Sequence, residues 1–167
     1  MGDIQKIMVA IAFSDYSEGI FTYGARLARN LDADILVVSV INRRDVAAVR
    51  KIAALGYEVD GEHYVQGVRD ERLKMLEAFV AKAGFPEERV VARILMGDPL
   101  DELLKTALLE NVDLIVMGVK GRSDLEHILV GSVAEKMFRR SPITIVSYRG
   151  EKEAAHLRKR VEHLLPD

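Results

Sequence analysis

Late in the chain Gly118, Gly121, Gly131 and Ser132 stand in the pattern Gly-x2-Gly-x9-Gly-Ser, directly after the apolar run Asp113–Gly118. Glycine lets a backbone approach a phosphate closely and take positive φ angles. A helix that starts at Ser132 would present the N–H groups of Ser132, Val133 and Ala134 at its positive end, where an anion is favoured. Lys120 and Arg122 carry charge that either neutralises such an anion or faces solvent. The same residues admit a plainer account, in which Gly118 and Gly121 make a tight turn and Gly131 lets two helices pack closely. Spacing alone leaves both accounts open.

Other residue types that do chemistry are placed less suggestively. The four histidines are His63, His127, His156 and His163, and none has the His-Glu-x-x-His spacing of a zinc hydrolase helix. His156 and His163 read as surface residues of a polar tail, and His127 as a loop histidine between two of the glycines. Ser132 has neither a Gly-x-Ser-x-Gly elbow nor an evident His-Asp relay, so no catalytic residue and no metal ligand are assigned. A Walker A loop and a dinucleotide fingerprint are absent. There is no cysteine, which excludes disulfides and thiolate chemistry.

The chain of 167 residues fits one domain with a short appendage: a domain over 1–150 and a tail over 151–167. Hydrophobic residues make up 49%, and charged residues 30% with a net charge of −2. That balance gives no reason to expect nucleic acid or an anionic membrane as partner, and Arg139-Arg140 and Arg158-Lys159-Arg160 read as solvated helix ends. The apolar stretch Ile7–Phe13 is too short to span a bilayer, and we expect a cytoplasmic protein.

Five β-type runs must position the glycine motif: Lys6–Ala12, Asp34–Val40, Val90–Leu95, Asp113–Gly118 and Ile143–Tyr148. Most are continuous apolar runs, as expected of strands buried on both faces of a parallel sheet. Helical spacing separates them. Ile20, Gly24, Leu27 and Leu31 follow Ser17 as a cap; Val46, Val49 and Ile52 follow Asp45, with Gly56 as a stop. Leu73, Leu76, Val80 and Ala83 form a stripe ended by Gly84-Phe85-Pro86. Asp98-Pro99 opens a helix carrying Leu100, Leu103, Leu104, Ala107 and Leu108 inward. Val133, Ala134, Met137 and Phe138 mark a further core helix closed by Ser141-Pro142, and Glu151–Leu165 an amphipathic tail helix with Leu157, Val161 and Leu164 on one side. The β-α alternation predicts an α/β domain with right-handed crossovers. Residues 43–70 predict one short helix and then a polar, mobile excursion.

The segment DLIVMGVKGRSDLEHILVGSVAEKMFRRSPITIV resembles the universal stress protein family, whose nucleotide-binding branch carries this glycine pattern. The resemblance extends through KIMVAIAFSDYS, GARLARNLDADILVVSV and GDPLDELLKTA, over nearly all of residues 4–148. It implies a five-stranded parallel sheet of order 3-2-1-4-5 with two helices on each face and a crevice where the order reverses between strands 1 and 4. It implies ATP, ADP or AMP as ligand, with Mg2+ bridging the phosphates and at most slow hydrolysis. The phosphates would lie along Met117, Gly118, Lys120, Gly121, Arg122, Gly131, Ser132 and Val133, and the nucleoside near Ala12, Phe13, Ser14, Val40 and Ile41. It also implies a homodimer through the fifth strand. One position departs from the family pattern: Ala12 stands where nucleotide-binding relatives usually carry an aspartate at the end of strand 1. That departure keeps a second expectation in view, a nucleotide-free homodimeric interaction module of the same fold.

Overall fold

A computed structural model describes residues 3–56, 60–119 and 130–165. In chain order the elements are β1 (Lys6–Ala10), α1 (Ser17–Leu31), β2 (Asp34–Asn42), α2 (Arg43–Ala54), α3 (Gly61–Ala83), β3 (Val90–Gly97), α4 (Pro99–Leu109), β4 (Leu114–Gly118), α5 (Ser132–Arg140), β5 (Thr144–Tyr148) and α6 (Glu151–Val161). The strands form one five-stranded sheet of order β3-β2-β1-β4-β5, and every pairing is parallel. The order expected from the family resemblance is therefore the order found.

The period of two in a strand divides the core cleanly. Ile7, Val9, Ile35, Val37, Leu114 and Val116 face α1 and α3, where Phe21, Ala25, Leu76, Phe79 and Val80 cover them. Met8, Ala10, Leu36, Val38, Ile115 and Met117 face α4 and α5, meeting Leu100, Leu103, Ala107, Ala134 and Met137. Each fully buried aliphatic side chain contributes about 1.5–3 kcal/mol, so the continuous apolar runs hold both helical layers. Gly24 permits the close seating of α1, because a Cβ there would lie 2.7 Å from Val9 Cγ2.

Several details differ from the sequence expectation. Residues 61–70 are the first turns of the 23-residue helix α3, not a mobile excursion. Asp60 caps that helix by accepting from Glu62 N–H at 3.0 Å. Tyr64, Val65 and Val68 then pack on Ile41, Val46 and Ile94, so a satellite core pins a segment whose composition looked polar. Along the same helix Arg72 is buried while Leu73 is exposed. Ser17 does not cap α1: Tyr16 holds that position without a side-chain bond, and Ser17 Oγ instead accepts from Ser14 N–H at 2.9 Å. Leu31, Leu108 and Phe138, expected inward, are exposed near helix ends. The tail is helical as expected, but no residue of α6 is buried.

Candidate nucleotide site

A cavity of about 370 Å³ opens at the carboxyl ends of β1 and β4, where the strand order reverses. This is the position at which open α/β sheets bind ligands, and the volume lies at the low end for small-molecule sites. Its floor is apolar: Ala10, Ile11, Val38 and Met117 from three neighbouring strands, with Leu103 from α4.

The end of β1 shapes one wall. Ile11 N–H still donates to the Val38 carbonyl at 3.1 Å, yet the ladder stops at Ala10 because Phe13 takes a left-handed conformation, φ 54°. That turn throws the Phe13 ring onto the opposite face of the sheet, stacked on Phe79 with centroids 6.0 Å apart. Ala12 and Ser14 on either side of it line the cavity. The following turn is braced twice, by Ser17 N–H donating to the Ser14 carbonyl at 2.9 Å and by Ser14 N–H donating to Ser17 Oγ at 2.9 Å.

The opposite wall is the junction of β4 with α5. Gly131 N–H donates to the Val119 carbonyl at 2.7 Å, which holds the start of α5 against the end of β4. Gly131 is the residue before the helix and has no side chain to cap it, and Ser132, Val133 and Ala134 of the first turn line the cavity. Gly131 adopts φ −70° and ψ 153°, a conformation open to any residue. A positive φ is therefore not what glycine contributes at this position. A third wall comes from α4, capped by Asp98, whose carboxylate accepts from Leu100 N–H at 3.0 Å and Asp101 N–H at 3.3 Å. This positions Pro99 and Leu103 at the cavity.

Of the residues expected at a nucleotide site, Ala12, Ser14, Val40, Met117, Gly118, Gly131, Ser132 and Val133 line this cavity. Phe13 and Ile41 do not. Phe13 is turned away by its backbone conformation, and Ile41 is buried in the satellite core with Val46 and Ile94. Lys120, Gly121 and Arg122 lie outside the described residues. The structure adds Asn42 and Asp45 to the wall, from the start of α2. In the sequence Asp45 reads only as a helix-start residue; the signal for it is an acid three residues beyond the end of β2. Among the described residues no group of three His, Cys, Asp or Glu side chains could hold a metal ion. No helix among them is long and apolar enough to cross a membrane.

The fold and cavity define an open parallel α/β domain of the kind that binds a ligand at its switch point. The model of the universal stress protein family matches residues 3–149. The universal stress protein YxiE of Bacillus subtilis is 32% identical over 150 residues, covering 84% of this chain and 97% of its own. The chain therefore belongs to the universal stress protein family. Among solved structures, hypothetical protein MJ0577 is similar with a TM-score of 0.73 at 23% identity, covering 90% of this chain and 99% of its own. A universal stress protein in complex with cAMP is similar with a TM-score of 0.60 at 21% identity, covering 89% of this chain and 98% of its own. At these identities both structures speak to the fold.

Proposed function

We propose that this protein is a regulatory protein that binds an adenine nucleotide, ATP in the first instance, in the cavity at the switch point. The observation that carries the reading is the meeting of a helix start, preceded by a glycine that makes no side-chain cap, with a strand end over an apolar floor: Gly118, Gly131, Ser132 and Val133 beside Ile11, Val38 and Met117. Backbone N–H groups at a helix start suit a phosphate, and the apolar floor suits a planar base. The triphosphate would lie along Gly118, Gly131, Ser132 and Val133, continuing to Lys120, Gly121 and Arg122. The nucleoside would lie toward Ala12, Ser14 and Val40. Mg2+ would be held by phosphate oxygens and water, which fits a phosphate wall made of glycine, serine and valine. ADP and AMP offer the same base and sugar with fewer phosphates. A similar structure that holds cAMP, an adenine nucleotide, supports the choice of base. The cytoplasmic location expected from the sequence belongs to the same reading.

We also propose a homodimer through β5. This strand is an edge of the sheet, and its Ile145, Val146 and Tyr148 are only half-buried. Natural proteins cover or pair such an edge, and two-fold pairing is the commonest solution.

The second reading is a homodimeric interaction module of this fold without a nucleotide, and the observation in its favour is Ala12. An alanine at the cavity wall supplies no side-chain acceptor to a nucleoside. Mass spectrometry of the native protein separates the two. The expected result is a dimer carrying, or gaining on addition of ATP, the mass of one adenine nucleotide per subunit. Bare subunits that gain no mass with ATP would select the second reading.

A further inference from the structure

We propose that Asp45 is the ribose-reading residue of the cavity, supplying from α2 the carboxylate that the end of β1 lacks; this rests on the nucleotide reading above. Asp45 is the sole ionisable side chain among the described residues that line the cavity. Asn42, the other polar group that the start of α2 brings to the cavity, caps that helix by accepting from Arg44 N–H at 2.9 Å. Asp45 is half-buried at the rim. There a carboxylate keeps part of its hydration and still excludes bulk water from one side of a ligand.

The position of Asp45 selects what it can read. Val38, Ala10 and Met117 are level across β2, β1 and β4. Asn42, three residues before Asp45, therefore lies two strands from Gly118 and three residues further along. At standard strand geometry that is roughly 10 Å across the sheet and roughly 10 Å along it. A phosphate at Gly131–Val133 stays clear of the carboxylate, so the cavity has an electropositive helix start at one end and a negative acceptor at the other. A carboxylate accepts hydrogen bonds only. The ribose joins the far end of a triphosphate to the base, and its vicinal hydroxyls offer the carboxylate two donors while the apolar floor takes the base. The same polarity orients the nucleotide, because reversing it would set phosphate against Asp45. Ala12 is then compensated, not merely lost.

The test measures binding of ATP, 2′-deoxy-ATP and 3′-deoxy-ATP by calorimetry to the wild-type protein and to Asp45→Asn, whose unfolding midpoint is checked alongside. Asparagine keeps the shape and replaces one acceptor oxygen by a donor. Wild type should bind ATP about tenfold or more tightly over at least one deoxy analogue. In Asp45→Asn the affinity for ATP should fall by that factor and the discrimination should shrink to near unity. Wild-type discrimination that persists in a folded Asp45→Asn, or an absence of discrimination in wild type, would overturn the assignment while leaving the nucleotide site standing. Wild type that binds none of the three would overturn the nucleotide reading itself, and this assignment with it.

Discussion

Arg72 on α3 donates from Nη1 to Ser39 Oγ on β2 at 2.9 Å, with Arg72 2% and Ser39 1% exposed. The same guanidinium lies over the Phe13 ring, 5.8 Å from its centroid. One buried cation thus ties the long helix to the central sheet and to the turn whose flanking residues line the cavity. Removing the hydroxyl leaves part of a buried charge without its acceptor, which costs about 1–3 kcal/mol. Ser39→Ala should lower the unfolding free energy by that amount, read as a lower urea midpoint with an unchanged slope. Arg72→Met should be worse alone, and the double variant less destabilised than the sum, because it removes donor and acceptor together.

Gly24→Ala tests the seating of α1. Alanine gains about 1 kcal/mol of helix propensity over glycine, but its Cβ would stand 2.7 Å from Val9 Cγ2. Overpacking of this kind costs about 1–3 kcal/mol, so the net effect should be destabilising. Thermal unfolding of Gly24→Ala, Val9→Ala and the double variant measures it. The pair should couple favourably, the smaller residue at 9 making room for the larger at 24.

Gly131→Val tests the phosphate wall. The backbone angles at Gly131 suit valine, so the fold should persist while the side chain crowds the cavity. ATP affinity should drop at least about tenfold, or 1.4 kcal/mol, in calorimetry. An unchanged affinity in a folded variant would place the phosphates elsewhere.

Asp98→Ala tests the third wall. Losing a cap that serves two backbone N–H groups should lower stability by about 0.5–2 kcal/mol. Because α4 carries Pro99 and Leu103 to the cavity, ATP should also bind more weakly, whereas Asp98→Asn, which retains an acceptor, should recover most of both losses.

Sedimentation tests the assembly. Val161, Leu164 and Leu165 of the tail are 50%, 71% and 68% exposed, so the tail's apolar side is open to a second subunit bordering β5. The chain should sediment as a dimer at micromolar concentration, and deletion of residues 151–167 should weaken that dimer. A monomer that dimerises only after the deletion would make the tail a cap over its own edge strand.

The existence of all five strands and the glycine-marked junction of β4 with α5 were legible in the residues themselves, and the sheet order followed from the family resemblance. Runs such as DILVVSV and DLIVMG need burial on both faces, and Asp98-Pro99 and Gly84 carry their local geometry in their own covalent structure. Which face of a helix is covered near its end, and which polar segments are held, depended on neighbours distant in sequence. The first turns of α3 are ordered by Ile41 and Ile94, two strands' worth of chain away. Leu73 yields the interior to Arg72 because Ser39 and Phe13 wait there for a cation. Phe13 leaves the cavity because Phe79 offers it a stacking partner on the other face. Asp45 joins Ala12 and Gly131 around one cavity only once β1 lies between β2 and β4. Local propensity acts within a few residues, whereas the company a side chain keeps is decided by the pairing of strands.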